Sequence, residues 1–177
     1  DSEEDHEVFL EAVKLEMYAD KVFCFSPKGD VLTFPTGATP IDFAYAIHTR
    51  IGNSCVGAKV DGLRVPLWTK LRNGQSVEVI TAQGQNPQPT WLDMTETGKA
   101  KTAIRRALRE ADKERMVVMG KALLRTAFEH IGKRATDKSL ELAASKMRFL
   151  DSKELLARVG STEVRPGHVV QLVHPEV

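Results

Sequence analysis

The chain is poor in the residues that usually advertise a reactive site. Its 177 residues include two cysteines, two tryptophans and two tyrosines, and aromatic residues make up only 6%. Cys24 and Cys55 stand apart, each in a strand-like run, with no CxxC pair. They are expected as reduced core residues, not as a disulfide or a metal site. The histidines His6, His48, His130, His168 and His174 show no paired metal spacing, so neither a metal nor a cofactor is expected. GxSxG, P-loop and GxGxxG motifs are all missing, and the carboxylates of the middle of the chain are scattered at turns and caps. No catalytic residue is therefore assigned. No apolar run approaches the roughly 20 residues of a membrane span. The opening "DSEEDHE" has neither the basic start nor the apolar run of a signal peptide. The chain is expected to be cytoplasmic and a piece of a longer protein.

Net charge is also nearly absent, at +1, but its distribution is uneven. Residues 1–20 set one lysine against eight acidic residues. Residues 21–82 hold seven basic against four acidic residues, and residues 88–134 hold eleven against six. A basic middle in a nearly neutral chain points to an anionic partner.

Apolar spacing in "EEDHEVFLEAVKLEMY" predicts an acidic helix over 3–17, within an acidic linker segment 1–20. "VFCF" and "VLTF", separated by "SPKGD", read as a β-hairpin. "TPIDFAYAIHTRIGN" is a well-punctuated helix: Thr39 is the N-cap, Pro40 the first helical residue, Asp42 the acidic residue of the first turn and Gly52 the stop. "SCVGAKVDGLRVPL" supplies a strand, a tight Asp61-Gly62 turn and a short second strand. After the Asn73-Gly74 turn comes a strand over 77–81. Two strands, a helix and further strands within residues 21–82 make the β-grasp, or ubiquitin-like, order, with the helix across one face of a mixed sheet. "AQGQNPQPT" marks a linker at 83–90. An all-helical domain is expected over 91–177, giving an α+β chain. Its first long helix is expected to break or kink at Gly120 and to end at Gly132. Three short helices follow, starting at Asp137, at Asp151 or Ser152, and at Pro166.

In the helix behind Pro40, the period puts Phe43, Ala44, Ile47 and Ile51 on the face that covers the sheet. His48 falls roughly a quarter-turn from that stripe, with Ile41 and Tyr45 on the same flank. Its place in the last turn would favour a protonated ring. Two readings stand at this point: a boundary histidine making a local hydrogen bond, or a planar group that meets a base or phosphate. Lys101, Arg105 and Arg109 recur every four residues on the later helix, with Arg106 beside them. That face is either solvated or a phosphate contact.

The phrases "FSPKGD", "TPIDFAYAIH" and "GAKVDG…VPL" resemble the TGS domain of long RelA/SpoT-type stringent-response proteins. "NPQPTWLDMTETGKAKTAIRRALRE" and "ELLARVGSTEVRPGHVVQLV" are similar to the start and end of that family's helical domain. TGS domains also occur in threonyl-tRNA synthetases and some GTPases, but the helical segment after Trp91 argues against those. The resemblance implies a regulatory fragment, not itself an enzyme, whose parent is a (p)ppGpp synthetase, hydrolase or both. It implies that the TGS domain senses the 3′ CCA end of deacylated tRNA on the ribosome and controls the parent's own catalytic domains. His48 is the residue matching the family's CCA-contacting histidine. Tyr45, Arg50, Lys101, Arg105 and Arg109 join it as tRNA-binding candidates on geometry and charge. The alternative is a docking module for acyl carrier protein, or intramolecular autoinhibition, without RNA contact. One departure is visible: the family commonly has an acidic residue after the glycine of the last turn, whereas here Gln75 follows Gly74. A turn position should tolerate this change without loss of the fold.

Overall fold

The structure is a computed structural model that describes residues 3–8 and 20–177. Residues 3–8 are helical and exposed; the remainder of the expected acidic helix, 9–17, lies outside the described residues. The chain divides into two compact units, one through Leu108 and one over Arg109–Val177.

In the first unit, β1 (Lys21–Phe25) and β2 (Val31–Pro35) form the expected antiparallel hairpin, with Cys24 opposite Leu32. The turn closes through Ser26 and Asp30, and Gly29 supplies a φ of 90° that a side chain would resist. β3 (Cys55–Val60) and β4 (Leu63–Val65) are joined by Asp61 and Gly62, both at positive φ, as a two-residue hairpin loop requires. β5 (Gln75–Thr81) runs parallel to β1 and antiparallel to β3. The sheet order β2-β1-β5-β3-β4 is the expected β-grasp arrangement. Its inward residues alternate as a one-sided sheet demands, with Val22 and Cys24 buried and Lys21 and Phe23 exposed.

Gln75 is accommodated locally. Its Oε1 accepts the Arg72 N–H at 2.7 Å, and Asn73 Oδ1 accepts the Phe23 N–H at 2.9 Å. Neutral amide oxygens thus serve as the turn's acceptors.

The helix predicted as one piece is two. α1 (Pro40–Ile47) and α2 (Thr49–Asn53) are separated at His48, whose backbone is extended. Phe43 enters the sheet core with Cys24, Phe34, Val60 and Val77, its ring 5.7 Å from that of Phe34. Ile41, Ala44 and Tyr45 form a second cluster with Cys55, Trp91, Ala100 and Ile104. The segment expected as linker and helical domain therefore begins inside the first unit. A 3-10 helix (Pro89–Met94) and the start of α3 (Gly98–His130) cover α1 from a second side. The two compact units divide after Leu108.

One buried carboxylate organises this junction. Asp42 accepts the backbone N–H of Thr39 (3.0 Å), Glu96 (3.1 Å) and Thr97 (3.0 Å), and the Thr97 hydroxyl (2.8 Å). Thr97 in turn accepts the Ala100 N–H at 3.1 Å, starting α3. The Thr39 hydroxyl donates to the Met94 carbonyl at 2.7 Å.

In the second unit, α3 passes through Gly120 without a break. It ends where expected: Gly132 takes φ 70°, and Lys133 N–H closes on the Phe128 carbonyl at 2.9 Å, a Schellman-type stop. α4 (Asp137–Lys146), α5 (Ser152–Gly160) and α6 (Pro166–Val173) begin at the expected residues. Leu124, Phe128, Leu155, Val159 and Val169 form their common core. Gly120 is a contact glycine instead of a hinge. A Cβ there would fall on the Leu156 carbonyl, and one at Gly160 would fall on the Met116 carbonyl. α3 and α5 therefore meet backbone to backbone.

Two stability outcomes follow from these contacts. Asp42→Ala strands buried donors and should lower the first unit's stability by about 3 kcal/mol or more, read from urea unfolding followed by the fluorescence of buried Trp91. Gly120→Ala and Gly160→Ala should each cost the second unit about 1–3 kcal/mol or more through overpacking. Circular dichroism melts of each variant would show it, and unchanged melts would refute the close approach.

Candidate functional site

The break at His48 sets the site. The His48 N–H bonds the Ala44 carbonyl at 3.3 Å, ending α1. Its ring Nδ1 accepts the Arg50 N–H at 3.0 Å, capping α2. The ring acts as an Asn or Asp side chain does at an N-cap. An accepting Nδ1 carries no proton, so the proton of the neutral ring is on Nε2. This corrects the expected setting in the last turn of one continuous helix: His48 stands between two helices. His48 and Arg50 are both exposed.

Tyr45 is not on the flank with His48. Its side chain is fully buried, and its hydroxyl donates to Asn53 Oδ1 at 2.8 Å. Gly52 is not the helix stop either; it lies within α2, and a Cβ there would strike the Tyr45 ring. Ile47, expected in the core, is 45% exposed, and Ile51 is half-buried. The cause is the second cover over α1: with partners on two sides, the apolar surface is wider than a one-sided projection allows. Asn53, which holds the Tyr45 hydroxyl, carried no sequence signal beyond its position after the glycine.

The basic candidates divide. Lys101 is half-buried and donates to the Leu92 carbonyl at 2.7 Å, which commits it to the 3-10 segment. Arg105 and Arg106 are exposed on the first turns of α3, and Arg109, also exposed, belongs to the second unit. The structure brings His48 and Arg50 together, buries Tyr45 against Gly52 and Asn53 of α2, and leaves the α3 cations on a separate element.

Burial also controls the cysteines. Both are free thiols, as expected, and fully buried. Cys55 is pushed up to about 11 by desolvation, partly offset by a hydrogen bond with the Gly57 backbone. Desolvation, and then the charge of Asp61, raises Cys24. Burial pushes the Tyr45 phenol up as well.

Residues 22–81 match the TGS domain, and residues 107–174 match the RelA/SpoT AH domain. The chain is a TGS domain and an AH domain of the RelA/SpoT family. A GTP pyrophosphokinase of Brucella abortus is 46% identical over 170 residues, 96% of this chain and 23% of that protein. A GTP pyrophosphokinase of Myxococcus xanthus is 38% identical over 97% of the chain and 23% of its own length. A guanosine-3′,5′-bis(diphosphate) 3′-pyrophosphohydrolase of Vibrio cholerae is 39% identical over 88% of the chain and 22% of its own length. The chain thus spans less than a quarter of these curated relatives. The TGS match ends before Trp91, although Trp91 and Ile104 pack on the TGS helix α1. Among the described residues, no helix is long and apolar enough to cross a membrane.

The buried thiol of the TGS domain predicts an alkaline limit. The folded state holds the Cys55 proton up to about pH 11, whereas an ordinary exposed thiol releases it near 9.0. The unfolded chain therefore binds fewer protons between these values, and stability falls as pH rises from about 9 to 11. Urea unfolding across this range should show that fall, and Cys55→Ala should make the slope shallower. An identical slope in the variant would contradict the assignment.

Proposed function

We propose that this chain is the regulatory portion of a longer (p)ppGpp synthetase, hydrolase or bifunctional enzyme, and that its TGS domain reads the 3′ end of deacylated tRNA on the ribosome. The observation that carries the reading is His48: an exposed ring whose Nδ1 is tied to the Arg50 backbone. Among the described residues, that bond leaves Nε2–H as an unused donor in a fixed frame, with the Arg50 guanidinium two residues away. A donor and a cation at an exposed helix junction suit the sugar, phosphate and base edges of an unpaired RNA end. A closed fit around a free 3′ hydroxyl would exclude an esterified amino acid by clash. Exposed Arg105, Arg106 and Arg109 would add phosphate contacts, while the TGS and AH domains pass the signal to catalytic domains elsewhere in the protein. Tyr45 serves in this reading as the buried support of α2, not as a stacking surface.

The test uses full-length protein on ribosomes carrying deacylated or aminoacylated tRNA. Wild type should respond only to deacylated tRNA, and His48→Ala should lose most of that response. Loss of the α2 cap costs about 1 kcal/mol, so the melting temperature should drop only a few degrees. An undiminished response in His48→Ala would remove the RNA reading's main residue. A wild-type protein indifferent to tRNA, recovered with acyl carrier protein from starved cells, would favour the protein-docking alternative.

A further inference from the structure

A concavity in the TGS unit holds the most exposed tryptophan of the described chain. Trp68 is 65% exposed, whereas Trp91, on the same cleft's wall, is 3% exposed. The cleft is about 450 Å³ and lies beside the β3–β4 edge of the sheet, within the range of small-molecule sites. Two local features shape it. β3 bulges between Cys55 and Gly57, which disrupts the pairing with β5 there. Across from the bulge, Arg64 lies against Gly57: a Cβ at Gly57 would come within 3.0 Å of the Arg64 Nη2. Glycine thus leaves the guanidinium room to lie close over the strand.

The chemistry of the lining narrows the ligand. It offers an indole face, one guanidinium without an ion-pair partner among the described residues, the carboxamides of Gln85 and Gln88 and the hydroxyl of Thr90. Among the described residues, no carboxylate lines it. A cationic ligand would find no counter-charge, and a compact polyphosphate would find only one. A flat, neutral, hydrogen-bonding ring has what it needs: an aromatic face, a planar cation and amide groups for its edge. We propose that this cleft takes an unpaired nucleobase of a single-stranded RNA, stacked on Trp68 beside Arg64. The choice of RNA as the source of the base rests on the reading of the TGS domain given above. The stacking site itself involves neither His48 nor Arg50.

The two tryptophans make the test direct. Titrating the chain with a short single-stranded RNA should quench Trp68 emission saturably, with buried Trp91 as the unquenched remainder. The same RNA annealed into a duplex should not quench it. By anisotropy of labelled RNA, Trp68→Ala should weaken binding about tenfold to a hundredfold, the scale of one base–aromatic stack. Trp68→Phe should restore most of it, and both variants should melt like the wild type because the side chain is exposed. The quench should survive His48→Ala, so failure here and failure of the His48 reading are separate results. Absence of a single-strand quench, an equal quench by duplex, unchanged affinity in Trp68→Ala, or loss of the quench in His48→Ala would each overturn the proposal.

Discussion

The first unit hangs on the carboxylate of Asp42. A buried charge is expensive unless its lone pairs are filled, and here three backbone N–H groups and a hydroxyl fill them. Two of those N–H groups belong to residues 96 and 97, more than fifty positions along the chain. The side chain that closes the first turn of α1 thereby also places the start of α3. Trp91, Ala100 and Ile104 can then cover Ile41, Ala44 and Tyr45. With that cover in place, Tyr45 lies inside the unit and Gly52 must carry no side chain, because the ring occupies the space. The position of α2, and so of the exposed His48 ring that caps it, follows from this chain of contacts.

The second unit rests on a different constraint, the approach of two helices closer than side chains permit. Gly120 and Gly160 each face the other helix's carbonyls. Around that crossing, Leu124, Phe128, Leu155 and Val159 fill a core of ordinary aliphatic and aromatic packing. Surface ion pairs such as Arg158 to Glu154, at 2.9 Å and one turn apart, add little beside such packing.

The candidate groups differ in how they are held. His48 is fixed by a main-chain N–H, not by another side chain, so its neighbours can vary without moving it. Lys101, by contrast, spends its charge on the Leu92 carbonyl and supports the fold. Both were tRNA-binding candidates in the sequence, on different helices; hydrogen bonding and burial separate them. Trp68 and Arg64 were not singled out in the sequence, because nothing in "GLRVPLWTK" distinguishes an indole in the core from one standing in a cleft.

What the sequence determined by itself was local. The hairpins at 21–35 and 55–65, the Asp61-Gly62 turn, the cap at Thr39 and Pro40, the stop at Gly132 and the starts of the last three helices are choices among backbone conformations. Gly, Pro, Asp and Thr settle such choices within a few residues. The β-grasp order followed from the succession of those elements. What only the tertiary structure decided was everything that depended on a second partner. A helix read alone shows one apolar stripe, and α1 has two covers. A glycine read alone is a turn or a hinge, and Gly52 and Gly120 are contacts. The first compact unit runs on to Leu108 for the same reason: a polar linker marks where the chain leaves the sheet, but burial decides where it stops packing against that unit.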